Sequence, residues 1–135
     1  MDHKNLVKLA FEAREFAYTP YSNFKVGAAL LAKDGQIFTG CNIESASYSP
    51  TNCAERTAFF KAISEGVTEF SAIAVVGGMT DSKTSLCPPC GVCRQVMAEF
   101  CHSDFKIIMA DSDYNMQIST LAEILPFRFE PKNLK

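Results

Sequence analysis

The chain has 135 residues, which predicts one domain, and the 47% of hydrophobic residues are enough to form a core and exclude an intrinsically disordered chain. The 13 basic and 15 acidic residues give a net charge of −2, without the basic excess that nucleic-acid polymers and anionic membranes attract. The N-terminal sequence lacks a secretory signal pattern, and no apolar run approaches the ~20 residues of a membrane-spanning helix. We therefore expect a single cytoplasmic domain over residues 1–135, in which the six cysteines serve metal binding or catalysis rather than disulfide bonds.

Hydrophobic periodicity predicts alternating helices and strands. The predicted elements are, in chain order, helix 5–17, strands 25–32 and 36–41, helix 54–65, strand 70–76, loop 77–85, helix 91–100 and strand 105–110, followed by a short strand and helix. Asp34-Gly35 between the first two strands is a hairpin signal. This order predicts an α/β fold with three layers, α/β/α, in which helices cover both faces of a mixed central sheet of about five strands.

Capping residues mark the ends of two predicted helices. Asn52 is the candidate N-cap of helix 54–65, and Gly66 is the expected stop of that helix. Thr120 and Glu123 have the spacing of a capping box at the start of the last helix.

Two cysteines form a C-x-x-C pattern at a predicted helix start. Cys90 and Cys93 should lie on one helix face, where the helix N-terminus lowers thiol pKa values and favours thiolates. Metal binding is the leading interpretation, and a buried thiol pair or a redox dithiol are the alternatives. Zinc needs a third ligand, and Cys53 is the other cysteine at a predicted helix start, whereas His3 and His102 are poorly placed. Three sulfurs with an open fourth position are the ligand set of a catalytic zinc.

Neighbouring residues bear on whether such a zinc site is catalytic or structural. Glu55 follows Cys53 by two residues and could reach a water at the open position, although a capping pair with Asn52 is the alternative. Arg56 is expected to offset the negative charge of the thiolates, unless it simply faces solvent. If Cys87 completed the ligand shell instead, the zinc would be structural.

The motif Cys53-Ala54-Glu55, followed at a distance by Pro89-Cys90-x-x-Cys93, resembles the zinc-dependent nucleoside deaminases. The match extends over nearly the whole chain through residues 20–29 (PYSNFKVGAA), 40–44 (GCNIE), 53–58 (CAERTA) and 89–95 (PCGVCRQ). In order, spacing and length these segments look like the short, three-cysteine form of cytidine deaminase.

This resemblance implies hydrolysis of cytidine and 2'-deoxycytidine to uridine and 2'-deoxyuridine plus ammonia, a step of pyrimidine salvage. It also implies a homotetramer with one Zn²⁺ per subunit. By position, the zinc ligands would be Cys53, Cys90 and Cys93, and Glu55 would move protons.

The resemblance further implies which residues bind the nucleoside. Phe24 would pack on the pyrimidine, and Asn42 with Glu44 would bind the sugar hydroxyls. Asn42 and Glu44 are two residues apart at a strand end, so their side chains should face the same way. A pair of polar residues simply leaving a strand is the alternative.

Other implied contacts lie near the zinc motif and the C-terminus. Ala54 and Pro88 would contact the substrate, with the Pro88 carbonyl accepting from its amino group. A neighbouring subunit would lend an aromatic ring, which falls on Phe129, with Phe127 as the alternative.

Three rival functions remain at this stage. A non-enzymatic protein would hold a structural zinc with Cys87 as the fourth sulfur ligand. A deaminase of another aminopyrimidine would not need the sugar-binding pair Asn42 and Glu44. A polynucleotide deaminase would need a groove for flanking phosphates, of which this nearly neutral chain gives no sign.

Overall fold

One five-stranded sheet, with the strand order β2-β1-β3-β4-β5, organises the chain. The computed structural model describes residues 2–135. The elements are α1 (His3–Arg14), β1 (Phe24–Ala32), β2 (Ile37–Cys41), α2 (Ala54–Ser64), β3 (Phe70–Met79), α3 (Gly91–Phe100), β4 (Lys106–Ala110), β5 (Met116–Thr120), α4 (Leu121–Ile124) and a final 3-10 helix (Pro131–Leu134). The predicted domain over 1–135 includes Met1, which lies outside the described residues.

The sheet is mixed, as predicted. Strand β1 is antiparallel to both β2 and β3, β3 is parallel to β4, and β4 is antiparallel to β5. The single parallel pair is joined through α3, because parallel neighbours need a long crossover. The predicted α/β fold with a mixed five-stranded sheet is therefore confirmed.

Two separate apolar clusters line the two faces of the sheet. Along β1 and β3, alternate residues point to opposite faces, as the strand period of two requires. One cluster packs α1 through Leu6, Val7 and Ala10 against Ala29, Ala74, Val76, Ile108 and Ala110. The other packs residues of α2, α3 and α4, including Ala58, Phe59, Met97 and Leu121, against Ala28, Leu30, Ile73, Val75 and Ile107. The result is the predicted three-layer arrangement.

Several predicted boundaries are also confirmed. Gly35 and Gly66 both have positive φ angles, of 93° and 89°, at the hairpin and just after α2. Helix α3 has the predicted range, and Thr120 forms a complete capping box with Glu123.

Other boundaries differ from the prediction. Helix α1 begins at His3, because the Asp2 side chain caps it by accepting from the Asn5 amide, and it ends at Arg14 rather than at residue 17. The predicted cap Asn52 is wrong: Cys53 is the N-cap of α2, and the Asn52 amide instead donates to the Thr57 hydroxyl.

The predicted loop 77–85 begins later than expected. Gly77, Gly78 and Met79 continue β3 and pair with the first residues of β1, so that the sheet reaches Phe24. Arg14 fastens this end of the sheet, since its guanidinium donates to the carbonyls of Lys25 and Gly78 at 2.8 and 2.9 Å. The sequence pattern missed the extension because two adjacent glycines usually indicate a turn.

Helix α2 lies unusually close to the sheet at Gly40. A Cβ at Gly40 would lie 2.5 Å from the Ala54 carbonyl oxygen and 2.6 Å from the Ala58 nitrogen. Because both atoms belong to the backbone of α2, only glycine permits this approach. Gly40 therefore sets the height of α2 above β2.

Within residues 2–135, no helix combines the length and apolar character needed to cross a membrane.

We expect Gly40→Ala to lower the free energy of unfolding by about 3 kcal/mol, because overpacking of this kind forces the backbone to shift. Urea denaturation followed by circular dichroism measures the change. Gly91→Ala is the matched control, since a Cβ there would meet no atom within 4 Å and alanine favours a helix. Equal stabilities for the two variants would contradict the close approach at Gly40.

Candidate active site

The amino termini of α2 and α3 bring three cysteine sulfurs together. Cys53 is the N-cap of α2, Cys90 is the N-cap of α3, and Cys93 lies in the first turn of α3. The Sγ atom of Cys90 lies 3.7 Å from that of Cys53 and 3.4 Å from that of Cys93. All three sulfurs lie within 4.8 Å of one another, which matches the predicted trio.

The spacing of the sulfurs fits a tetrahedral zinc ion. Zn–S bonds of ~2.3 Å at tetrahedral angles place neighbouring sulfurs ~3.8 Å apart. The chemistry of the donors fits as well. A hydrogen bond from the Cys93 thiol and the contact with Arg56 lower the pKa of Cys53 to about 5, whereas the Cys53 thiolate and burial raise the pKa of Cys93. Three thiolates cannot ionise together without a cation, so the cluster is suited to a divalent metal.

Arg56 supplies positive charge on one side of the cluster. Its Nη2 atom donates to the Cys53 sulfur at 3.1 Å, and its Nε atom is buried without a hydrogen-bond partner. The guanidinium therefore faces the sulfurs rather than solvent, as the charge argument predicted.

Glu55 is a buried carboxyl group beside the sulfurs. The residue is only 4% exposed, in the first turn of α2. Burial, with a smaller contribution from the Cys53 thiolate, raises the pKa of Glu55 to about 7. A carboxyl group with this pKa can both accept and donate a proton near neutral pH. The alternative capping pair with Asn52 is not formed, because Asn52 is not the cap.

Cys87 is not one of the clustered sulfurs. Among the described residues, the cluster with ligand atoms within 4.8 Å consists of Cys53, Cys90 and Cys93. Burial raises the pKa of Cys87 to about 11, so its thiol stays protonated. His3 and His102 line a different cavity of about 610 Å³, next to Lys33 and Lys106. The geometry therefore favours three sulfur ligands over four.

Residue Ile43 connects three segments that are distant in sequence. It forms an antiparallel bridge with Asn52 and a parallel bridge with Tyr18. In an antiparallel bridge the residue before Ile43 lies opposite the residue after Asn52. The backbone of Asn42 therefore lies near that of Cys53. The start of the segment that carries Asn42 and Glu44 is thereby set beside the N-cap of α2, while the binding of a sugar by this pair stays a prediction.

The side chains of Asn42 and Glu44 both form hydrogen bonds with residues 21–26, which include the start of β1. The Asn42 amide accepts from the Val26 nitrogen and donates to the Phe24 carbonyl, both at 2.8 Å. The Glu44 carboxylate accepts from the backbone nitrogens of Tyr21 and Ser22 at 3.1 and 3.2 Å, and from the Ser22 hydroxyl. The hydrogen bond from Ser22 lowers the pKa of Glu44.

Two hydrogen-bonding residues of this region were missed by sequence reasoning. The Thr57 hydroxyl lies 3.1 Å from the Cys41 carbonyl and 3.0 Å from the Cys53 carbonyl, which ties the start of α2 to the end of β2. A hydroxyl residue four positions after a helix cap was the available signal. Ser22 carried no such signal, because its partner is twenty-two residues away in sequence.

Comparison with known proteins identifies the family. Residues 1–109 match the family described as "Cytidine and deoxycytidylate deaminase zinc-binding region". The chain is 53% identical over 134 residues to the cytidine deaminase of Halalkalibacterium halodurans, a match that spans 99% of this chain and 98% of that protein. The chain belongs to the cytidine and deoxycytidylate deaminase family. It is accordingly a zinc-dependent hydrolase, and its sulfur cluster fits one zinc ion per chain.

Further relatives agree over the full length. The chain is 51% identical over 134 residues to the cytidine deaminase of Sporosarcina psychrophila, spanning 99% of this chain and 96% of that protein. The crystal structure of cytidine deaminase from Burkholderia pseudomallei matches with a TM-score of 0.88 and 46% identity, over 96% of this chain and 100% of that chain. The deaminase-like three-layer fold is thus confirmed.

The remaining residues singled out for the deaminase differ in their accessibility. Phe24 is 39% exposed, Pro88 is exposed, and Ala54 is completely buried, so a substrate contact at Ala54 stays a prediction. Phe129 is 59% exposed, whereas Phe127 projects fully into solvent with a φ angle of 53°.

The C-terminal segment of the deaminase is fastened to the zinc-motif helix. Arg94 of α3 donates to the carbonyls of Pro89 and Ile124 at 2.9 and 2.7 Å. The next residue, Gln95, donates to the Phe129 carbonyl at 2.8 Å. Phe129 is therefore held by its backbone, while its ring remains accessible.

We expect Cys87→Ser to retain one equivalent of zinc and Cys93→Ser to lose it, because Cys93 belongs to the sulfur cluster and Cys87 does not. Elemental analysis of purified, dialysed protein by mass spectrometry measures the zinc content. Loss of zinc from Cys87→Ser, with a normal circular dichroism spectrum, would show that a fourth sulfur is needed.

Proposed function

We propose that this chain catalyses the hydrolytic deamination of cytidine and 2'-deoxycytidine to uridine and 2'-deoxyuridine, with release of ammonia. One observation carries the proposal: a buried carboxyl group with a pKa near 7 lies beside three clustered sulfurs that can hold a catalytic metal. The names of the relatives at 53% and 51% identity support the choice of substrate. Cys53, Cys90 and Cys93 are the proposed zinc ligands.

The reaction adds water at C4 of the cytosine ring and expels the C4 amino group, which leaves the C4 carbonyl of uracil. Cys53, Cys90 and Cys93 would hold the zinc ion, which would supply the Lewis acid needed to make a water acidic near neutral pH. Glu55 accepts a proton from this water and delivers it to ring atom N3. It then takes the remaining proton of the added hydroxyl and delivers it to the departing amino group, so that ammonia leaves.

The other residues bind and orient the nucleoside. The Phe24 ring is accessible and packs on the pyrimidine, and the Pro88 carbonyl accepts from its amino group. Asn42 and Glu44 bind the sugar. In the proposed homotetramer a neighbouring subunit completes each site with an aromatic ring, and the rings of Phe129 and Phe127 are both accessible for that contact.

The proposed reaction is a step of pyrimidine salvage, and we place it in the cytoplasm. The six cysteines are all free, which supports a reducing compartment.

Ammonia release and the loss of cytidine absorbance, measured together on zinc-loaded protein, test the activity directly. Zinc-loaded protein that releases no ammonia from either nucleoside would contradict the proposal.

We expect Glu55→Gln to keep its zinc and to lose at least ~10² in kcat, because a positioned acid-base group contributes ~10²–10⁴ in rate. Steady-state deamination of cytidine and zinc analysis of the same sample provide the two measurements. Glu69→Gln is the control, since it removes an exposed carboxylate just before β3. A Glu55→Gln enzyme with most of its activity would exclude Glu55 as the proton carrier.

We expect Arg56→Gln to weaken zinc binding by ~10–100-fold, the usual effect of removing a group that orients or neutralises a metal ligand. Competition with a chromogenic zinc chelator measures the affinity. Lys61→Gln removes the same charge from the opposite end of α2 and should leave the affinity unchanged. If both variants bound zinc equally weakly, the loss of affinity would come from the change in net charge rather than from the contact between Arg56 and Cys53.

A further inference from the structure

The Glu44 carboxylate has almost no free hydrogen-bonding capacity. A carboxylate offers about four acceptor positions. The backbone nitrogens of Tyr21 and Ser22 both donate to Oε1, and the Ser22 hydroxyl donates to Oε2. One acceptor position therefore remains, and it lies on Oε2, the oxygen to which the Ser22 hydroxyl donates.

Asn42 is limited in the same way. Its Oδ1 atom accepts from the Val26 nitrogen, and one of its two Nδ2 hydrogens is donated to the Phe24 carbonyl. One N–H remains to donate. Oδ1 of Asn42 also keeps a second acceptor position, so together with the free position on Glu44 the pair offers one donor and two acceptors, enough to bind one sugar hydroxyl.

The direction of the Ser22 hydroxyl is fixed by a second contact. The Phe24 nitrogen donates to the Ser22 oxygen at 3.0 Å, so the hydroxyl hydrogen is available for Glu44. Phe24 itself has an independent anchor, because Asn42 holds its carbonyl. Loss of the Ser22 hydroxyl should therefore release Glu44 Oε2 while leaving Phe24 in place.

We propose that Ser22 is a positioning residue for sugar recognition, which aims the last free acceptor of Glu44 at one hydroxyl of the nucleoside. The inference rests on the proposed deaminase function. Ser22 does not touch the reacting atoms, so its removal weakens binding and leaves the chemical step intact.

The test is a comparison of Ser22→Ala with wild-type enzyme on three substrates. With 2'-deoxycytidine, KM should rise about 10-fold, because a hydrogen bond to a charged group is lost, and kcat should change less than about 2-fold. The KM penalty should vanish on one of two analogues, 2',3'-dideoxycytidine or 2',5'-dideoxycytidine, whichever lacks the recognised hydroxyl. The affinity for the product 2'-deoxyuridine, measured by calorimetry, should fall by the same factor as KM rises.

Two variants separate recognition from folding. Ser22→Thr keeps the hydroxyl at an exposed position and should restore KM, whereas Ser71→Ala, at an exposed site near the start of β3, should behave as wild type. An unchanged KM in Ser22→Ala, an equal penalty on all three substrates, or a failure of threonine to rescue would overturn the role of Ser22. Wild-type enzyme that releases no ammonia from 2'-deoxycytidine would instead contradict the proposed function.

Discussion

The repulsion between three thiolates is the constraint on which the rest of this structure depends. The sulfurs lie within 4.8 Å of one another, a distance at which they cannot all carry charge unless positive charge is close by. Two helix amino termini and the Arg56 guanidinium provide part of that charge, and zinc provides the rest. The positions of α2 and α3 are therefore as much an electrostatic requirement as a packing result.

Placement of α2, and of α1 on the other face of the sheet, depends on close backbone approach. Gly40 lets α2 approach β2, and Gly27 lets α1 approach β1, where a Cβ would lie 2.0 Å from the Ala10 carbonyl oxygen. The Thr57 hydroxyl then ties the first turn of α2 to the last residue of β2. Because Cys53 and Glu55 both lie at the start of α2, the packing of this helix directly positions one sulfur of the cluster and the buried carboxyl group.

Sequence reasoning succeeded where local patterns decide the structure and failed where distant contacts do. Periodicity and capping signals predicted the four α-helices and five strands but not the final 3-10 helix, and the three cysteines at helix starts predicted the cluster. Asn52 was misassigned because cap preference is a local rule, and here the amide binds Thr57. The end of β3 was missed because Gly77 and Gly78 look like a turn until they pair with β1.

The two polar residues proposed to bind the sugar are mostly satisfied within the chain, which would make a site built from them selective. Asn42 and Glu44 each make hydrogen bonds to the backbone around Phe24 before any substrate is bound. Their side chains are therefore held rigidly, and the few donors and acceptors that remain point in fixed directions. A ligand without a matching hydroxyl leaves such groups unpaired, which costs more than a missing contact in a flexible site. The same bonds join Asn42 directly, and Glu44 through Ser22, to the backbone of Phe24, so the residues proposed for the sugar and for the pyrimidine form one connected unit.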